Sequence, residues 1–174
     1  MSATPSAKPS VTKISRVSID VVRSVQHTLL TDHWSEVARN KQLMVLDPDW
    51  PAYYQLEEKG LLTTLVAWQG VAEEGNVIGR LVGYSVNILV PRHLHYRGLC
   101  VFQNDVLYVD PKHRGKSVGA RLIKATVEAG REAGARMMLW HSKETDSKGR
   151  PAELGPLLKK MGYGVQDIIY SSEI

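Results

Sequence analysis

One cysteine, Cys100, stands among the 174 residues. A lone thiol closes no internal disulfide and gives no cysteine metal cluster, which sets aside disulfide scaffolds and zinc-finger spacings. His93 and His95, two apart without a nearby carboxylate, make a poor zinc site, so no metal is expected. No apolar run approaches membrane-span length, and residues 1–13 lack the apolar stretch of a secretory signal. No membrane association and a cytoplasmic location are therefore expected. The charge imbalance is small: 22 Lys and Arg against 18 Asp and Glu give +4. With no aromatic–basic box and no internal repeat, nucleic acid is not the expected partner. Two phosphate-binding signatures are also missing, the Walker loop and the Gly-x-Gly-x-x-Gly dinucleotide turn.

What remains is an ordinary folded domain. Apolar residues make up 43% and the mean hydropathy is −0.21, enough to build one real core. Residues 1–14, largely Ser, Ala, Thr, Pro and Lys, read as a disordered tail, and residues 15–174 as a single domain.

The most informative stretch is residues 106–123, Val-Leu-Tyr-Val-Asp-Pro-Lys-His-Arg-Gly-Lys-Ser-Val-Gly-Ala-Arg-Leu-Ile. An apolar strand runs into a basic Gly- and Ser-containing loop that opens an amphipathic helix. The first turn of a helix has backbone N–H groups without internal partners, and its dipole adds positive potential. With Lys112, Arg114 and Lys116 these amides form a site for a diphosphate. Gly115 and Gly119 let the backbone approach a ligand closely.

Elsewhere the periodicities are regular. Val21, Val22, Val25, Leu29, Leu30, Trp34 and Val37 give helical spacing over residues 18–42, with Asp32 able to cap a second helix. Residues 52–59 form a short helix ended by Gly60; residues 61–68 form a strand, and 70–75 a turn. Residues 77–90 give one or two strands broken by a bend, and 99–109 the strand before the loop. The helix after the loop ends at Gly134, a short buried strand follows at 137–140, and 144–151 is polar and flexible. A helix at 153–161 and a last strand at 165–170 complete an α/β or α+β fold, a mixed central sheet with helices on both faces.

Arg114-Gly115-Lys116-Ser117-Val118-Gly119 resembles the [Q/R]-x-x-G-x-[G/A] acyl-CoA loop of the GNAT superfamily of N-acetyltransferases, with Ser117 in place of the central glycine. Leu81-Val82-Gly83-Tyr84 resembles the family's central strand, and residues 157–163, ending Met161-Gly162-Tyr163, its closing helix and turn. A narrower similarity, to GNAT-like proteins of bacteriophages, touches His93 to Tyr96 and Leu139 to His141.

The resemblance implies acetyl-CoA as cofactor and transfer of acetyl to a primary amine of a small molecule or protein by direct attack in a ternary complex. It implies that the backbone of Leu107, Tyr108 and Val109 polarises the acetyl carbonyl. Lys112, Arg114, Gly115, Lys116, Ser117, Val118 and Gly119 would hold the diphosphate. For the general base three residues stay open. Asp105 falls by strand alternation on the face of Leu107 and Val109; His95 and His141 each follow a strand at the expected mouth. The tyrosine that often protonates the leaving thiolate would stand at Leu158, leaving Tyr163, Tyr170, Tyr108 or water for that proton. His33, Trp34 and Glu36 are candidates for the acceptor pocket, although helix packing explains them as well. Two alternatives remain: a non-catalytic acyl-CoA-binding module, and a basic nucleic-acid or host-protein interaction protein on the same scaffold. A homodimer is left open.

Overall fold

The structure, a computed structural model, describes residues 10–73 and 76–169. A five-stranded sheet runs in the order β1-β2-β3-β4-β5. Its strands are β1 (Ser10–Val17), β2 (Leu62–Glu73), β3 (Asn76–Val90), β4 (Val101–Val109) and β5 (Met137–Leu139). The first four pair antiparallel and β5 joins β4 in parallel. Helices are α1 (Asp20–Ser24), α2 (Thr31–Val37), α3 (Trp50–Glu58), α4 (Val118–Glu132) and α5 (Leu154–Lys160), with a π-helical turn at Gln26–Leu30.

Both faces of the sheet are covered, as the sequence pattern implies. On one, Ile19, Val22 and Leu29 pack on Val66, Tyr84, Val86 and Tyr108. On the other, Val118, Leu122 and Ala129 of α4 pack on Leu65, Ala67, Val82, Phe102 and Val109. The α4 contact is close: a Cβ on Gly130 would stand 2.8 Å from the Phe102 ring.

Several sequence expectations need correction. Residues 10–14, expected in the tail, belong to β1, because Ile14 packs on the α4-side core while the strand's backbone pairs with β2. Residues 1–9 lie outside the described residues. The stretch 70–73 extends β2 rather than turning, and 76–90 is one strand in which Val82 is an extra, bulged residue opposite the Ala67–Trp68 step. Asp32 does not cap α2 but sits within its first turn. Residues 144–151 are held rather than loose: Asp146 accepts from the Lys148 and Arg150 amides and pairs with the Arg150 guanidinium, and Ser147 donates to the Glu36 and Ser35 carbonyls. Residues 165–169 form no strand, and Val165, Ile168 and Ile169 are exposed. β5 is only half-buried.

Candidate active site

β4 builds the site by being irregular. Val86 faces Val106 and Asn87 faces Asn104, so Asp105 is one residue too many and bulges out. The bulge is tied from behind. Asn104, 1% exposed, donates its side-chain amide to Asn87 Oδ1 (2.8 Å) and the Val106 carbonyl (3.0 Å). Asn87 donates to Ser85 Oγ (3.0 Å), which meets Thr126 Oγ1 of α4 at 3.0 Å. A fully buried polar network of this kind stands only when its members satisfy one another, so it fixes one geometry.

The bulge reverses one expectation. Regular alternation places Asp105 with Leu107 and Val109; the extra residue turns it to the opposite face. Leu107 and Val109 pack toward α4, whereas Asp105 accepts a hydrogen bond from Tyr53 Oη of α3 (2.6 Å).

Beyond the bulge β4 loses its neighbour. β5 pairs only with Val101, Phe102 and Gln103, so residues 104–109 border an open wedge. The Asp110 amide donates to the Val82 carbonyl (2.8 Å) and so points at β3. By alternation Leu107 and Val109 turn their backbone groups into the wedge, and Tyr108 turns its own toward β3. Tyr108 is thus on the paired side, and its side chain is core, stacked on His33 at 4.6 Å.

At the wide end of the wedge the chain passes through a 3₁₀ turn, Pro111–His113, and enters α4. Gly115 (φ 72°) and Ser117 (φ 62°) are both left-handed. Nothing lies within 4 Å of a side chain built on Gly115, so the loop backbone is open to approach there. Ser117 precedes the first residue of α4 without capping it, and Lys112 and Lys116 are exposed beside the first turn. The Val118, Gly119 and Ala120 amides precede the first intrahelical bond, from Arg121 N to Ser117 O.

Arg114 is placed differently from the expectation of a free phosphate-binding side chain. Its guanidinium grips Glu36 of α2 through both ends (2.8 and 2.7 Å) and donates from Nε to the Val109 carbonyl (2.9 Å). It also lies over the Tyr108 ring, 5.4 Å from the centroid. Burial opposes the charge, yet the Glu36 hydrogen bonds win and hold the pKa above its ordinary value. The Arg114 side chain is thereby committed to Glu36 and the Val109 carbonyl. Glu36 therefore anchors the loop instead of lining an acceptor pocket.

Asp105 opens on a cavity of about 360 Å³ between β3–β4, the first helices and residues 44–48, where His33, Trp34, Trp50 and Tyr53 also line the wall. His33 Nδ1 lies 2.9 Å from Tyr84 Oη. Burial lowers the imidazole pKa to about 4, against the pull of Glu36, so the ring is neutral at pH 7. Burial and the Asp105 carboxylate raise the Tyr53 hydroxyl well above 10, so it stays a donor.

The structure separates the other candidates. His95 is exposed on the β3–β4 connection, at the end of β4 opposite the loop, beside His93 and Tyr96. His141 is exposed two residues past β5 and does not line the cavity. Leu158 is core, Tyr163 packs edge-on against Trp140 at 6.2 Å, and Tyr170 lies outside the described residues. Among the described residues no group of three or more His, Cys, Asp or Glu could hold a metal. No helix among them is long and apolar enough to cross a membrane. Sequence reasoning missed Tyr53, Trp50 and residues 44–48, which meet Asp105 only through tertiary packing. It also missed the Asn104 anchor, whose signal is a set of polar residues (Ser85, Asn87, Asn104) inside apolar strands.

The acetyltransferase (GNAT) family profile matches residues 29–153. Solved structures share the fold. The ribosomal-protein-alanine N-acetyltransferase of Brucella melitensis biovar Abortus 2308 is 18% identical, with TM-score 0.61 and coverage of 94% of this chain and 99% of that one. The aminoglycoside acetyltransferase HMB0005 from an uncultured soil metagenomic sample is 18% identical, with TM-score 0.63 and coverages of 94% and 97%. Glucosamine-6-phosphate N-acetyltransferase of Arabidopsis thaliana is 15% identical, with TM-score 0.64 and coverages of 94% and 98%. Comparison with curated proteins gives no match. The profile match spans most of the domain, including the bulged strand, the loop and α4, and the chain accordingly belongs to the acetyltransferase (GNAT) family.

Proposed function

We propose that this chain transfers acetyl from acetyl-CoA to a primary amine by direct attack in a ternary complex, with Asp105 as the base. The observation that carries this reading is the bulged β4, which presents a carboxylate to a cavity on one face and free backbone along an adjacent wedge. The residues present fit the cofactor: unpaired first-turn amides, the open loop backbone at Gly115, and Lys112 and Lys116 suit a diphosphate. Acetyl-CoA, when bound, supplies an acetyl thioester.

Asp105 takes a proton from the incoming ammonium, directly or through one water, while Tyr53 holds the carboxylate in place. The wedge-facing amides of Leu107 and Val109 donate to negative charge growing on a carbonyl oxygen beside them. With Leu158 buried, solvent returns a proton to the leaving sulfur. Asp105 is preferred over His141 because it alone of the pair faces the cavity, and over His95 because that ring lies at the far end of β4.

Isothermal titration with acetyl-CoA and with CoA tests the cofactor assignment. Micromolar binding of both is expected, and absence of heat with either overturns it. Lys116→Ala is a cleaner probe of the loop than Arg114→Ala, which would also break the Glu36 anchor.

A further inference from the structure

The chemistry of the cavity wall defines the acceptor. None of its lining residues is Lys or Arg; the charged ones are Asp47 and Asp105, and His33 is neutral. The remainder is mainly aliphatic and aromatic, with Trp34 and Trp50 contributing indoles. At the mouth, Met44 and Val45 are 49% and 69% exposed, so apolar surface stands at the rim with no protein over it. A wall of this kind charges a heavy desolvation cost to hydroxyls and phosphates that it cannot pair.

From this we infer that the acceptor is a single primary ammonium carried on a compact apolar or aromatic body, its nitrogen at Asp105 and its body between the Trp34 and Trp50 side of the wall and residues 44–46. The inference rests on the acetyl-transfer reading and adds the substrate class. A phosphosugar finds no cation in the cavity, and a polycationic aminoglycoside brings more ammonium and hydroxyl groups than two carboxylates can satisfy. A volume of about 360 Å³ is at the small end for ligand sites and suits a monoamine.

The balance is simple. The ammonium gives one proton to Asp105 and from there to solvent. The nitrogen lone pair forms the N–C bond as the thioester C–S bond breaks, and the second amine proton goes by way of water to the departing sulfur. The products are an N-substituted acetamide, CoA thiol and one released proton.

The experiment has two independent readouts on the full chain. Thiol release is followed with phenethylamine, hexylamine, glucosamine 6-phosphate and kanamycin at equal concentration. Binding of phenethylamine is followed by quenching of tryptophan fluorescence, without acetyl-CoA, in the wild type and in Trp34→Phe. The expected result is a kcat/KM for the two monoamines at least about tenfold above the others, as for a pocket that rejects unpaired polar groups. Saturable quenching that weakens in Trp34→Phe is expected alongside it. Val45→Lys, an exposed site where folding is not at risk, should raise the monoamine KM about fivefold by adding a like charge at the rim. Preference for kanamycin or the phosphosugar overturns the substrate class and leaves acetyl transfer standing. If acetyl-CoA binds and no monoamine is bound or turned over, the substrate class again falls alone. Saturable monoamine quenching without acetyl-CoA binding sinks acetyl transfer and keeps the cavity's ligand class, and failure of both sinks both.

Discussion

The two faces of the sheet behave differently. Under α4 the fit is tight, with Gly130 against Phe102 and a buried network from Thr126 through Ser85 and Asn87 to Asn104. Under α1–α3 the packing is incomplete and leaves a cavity bordered by a carboxylate, a neutral imidazole and two indoles. The contrast teaches that the rigid face holds the irregularity which the open face uses. Asn104 and Asp105 are adjacent in sequence, yet one is sealed under α4 and the other looks into the cavity.

The largest effect should come from silencing the open face alone. Asp105→Asn keeps an acceptor for the Tyr53 hydroxyl but cannot take a proton, so kcat/KM for amine acetylation should fall by about 100-fold or more with thermal stability unchanged. Full turnover at every pH would remove Asp105 as the base. The counterpart on the rigid face is Asn104→Ala. It leaves Asn87 Oδ1 and the Val106 carbonyl short of a donor in a sealed site, and should cost about 2–3 kcal/mol in urea unfolding. A loss below about 0.5 kcal/mol would mean that the network does not hold the bulge.

Next in size is a pH effect on the open face. The folded His33 titrates at about 4 and the unfolded ring at about 6.5, so between these values the unfolded chain binds more protons. Stability should therefore rise with pH across that window and level off above it. The His33 share is about 2 kcal/mol between pH 5 and pH 7, and it should vanish in His33→Gln when the two proteins are unfolded in parallel. The smallest change expected is at the loop. Ser117 holds a left-handed backbone that a Cβ disfavours, and Ser117→Gly should gain up to about 1 kcal/mol, seen as a rise in Tm of a few degrees. A fall in Tm would show that the hydroxyl matters more than the backbone.

The strand–loop–helix unit was legible because each part has its own local signal: an apolar strand, a basic glycine loop, then helical periodicity from Val118 to Ala129. The sheet with helices on both faces followed from the order of such signals. The face of Asp105 was not legible, since a period of two assumes a strand without insertions. Nor was the binding of Arg114 to Glu36, a pairing of residues 78 positions apart that only tertiary structure creates. Residues 165–169 show the opposite failure: an apolar run has strand composition but pairs with no strand among the described residues. Of the cavity wall, His33, Trp34 and Asp105 were legible as candidates, whereas Trp50, Tyr53 and residues 44–48 join them only through tertiary packing.

The bulge also divides β4 into two phases. Before it, the residues turned toward α4 are even-numbered, Phe102 and Asn104; after it they are odd-numbered, Leu107 and Val109, while Val106 and Tyr108 go to the other side. Asn104 and Val106 face the consecutive residues Asn87 and Val86, so both halves are in register with β3 and Asp105 alone is out of step. Deleting Asp105 would restore an unbroken alternation, with Val106 and Tyr108 still on the side of His33 and Leu107 and Val109 still under α4. The deletion would remove the bulge and its carboxylate while sparing the core faces, so the insertion serves the cavity and not the packing.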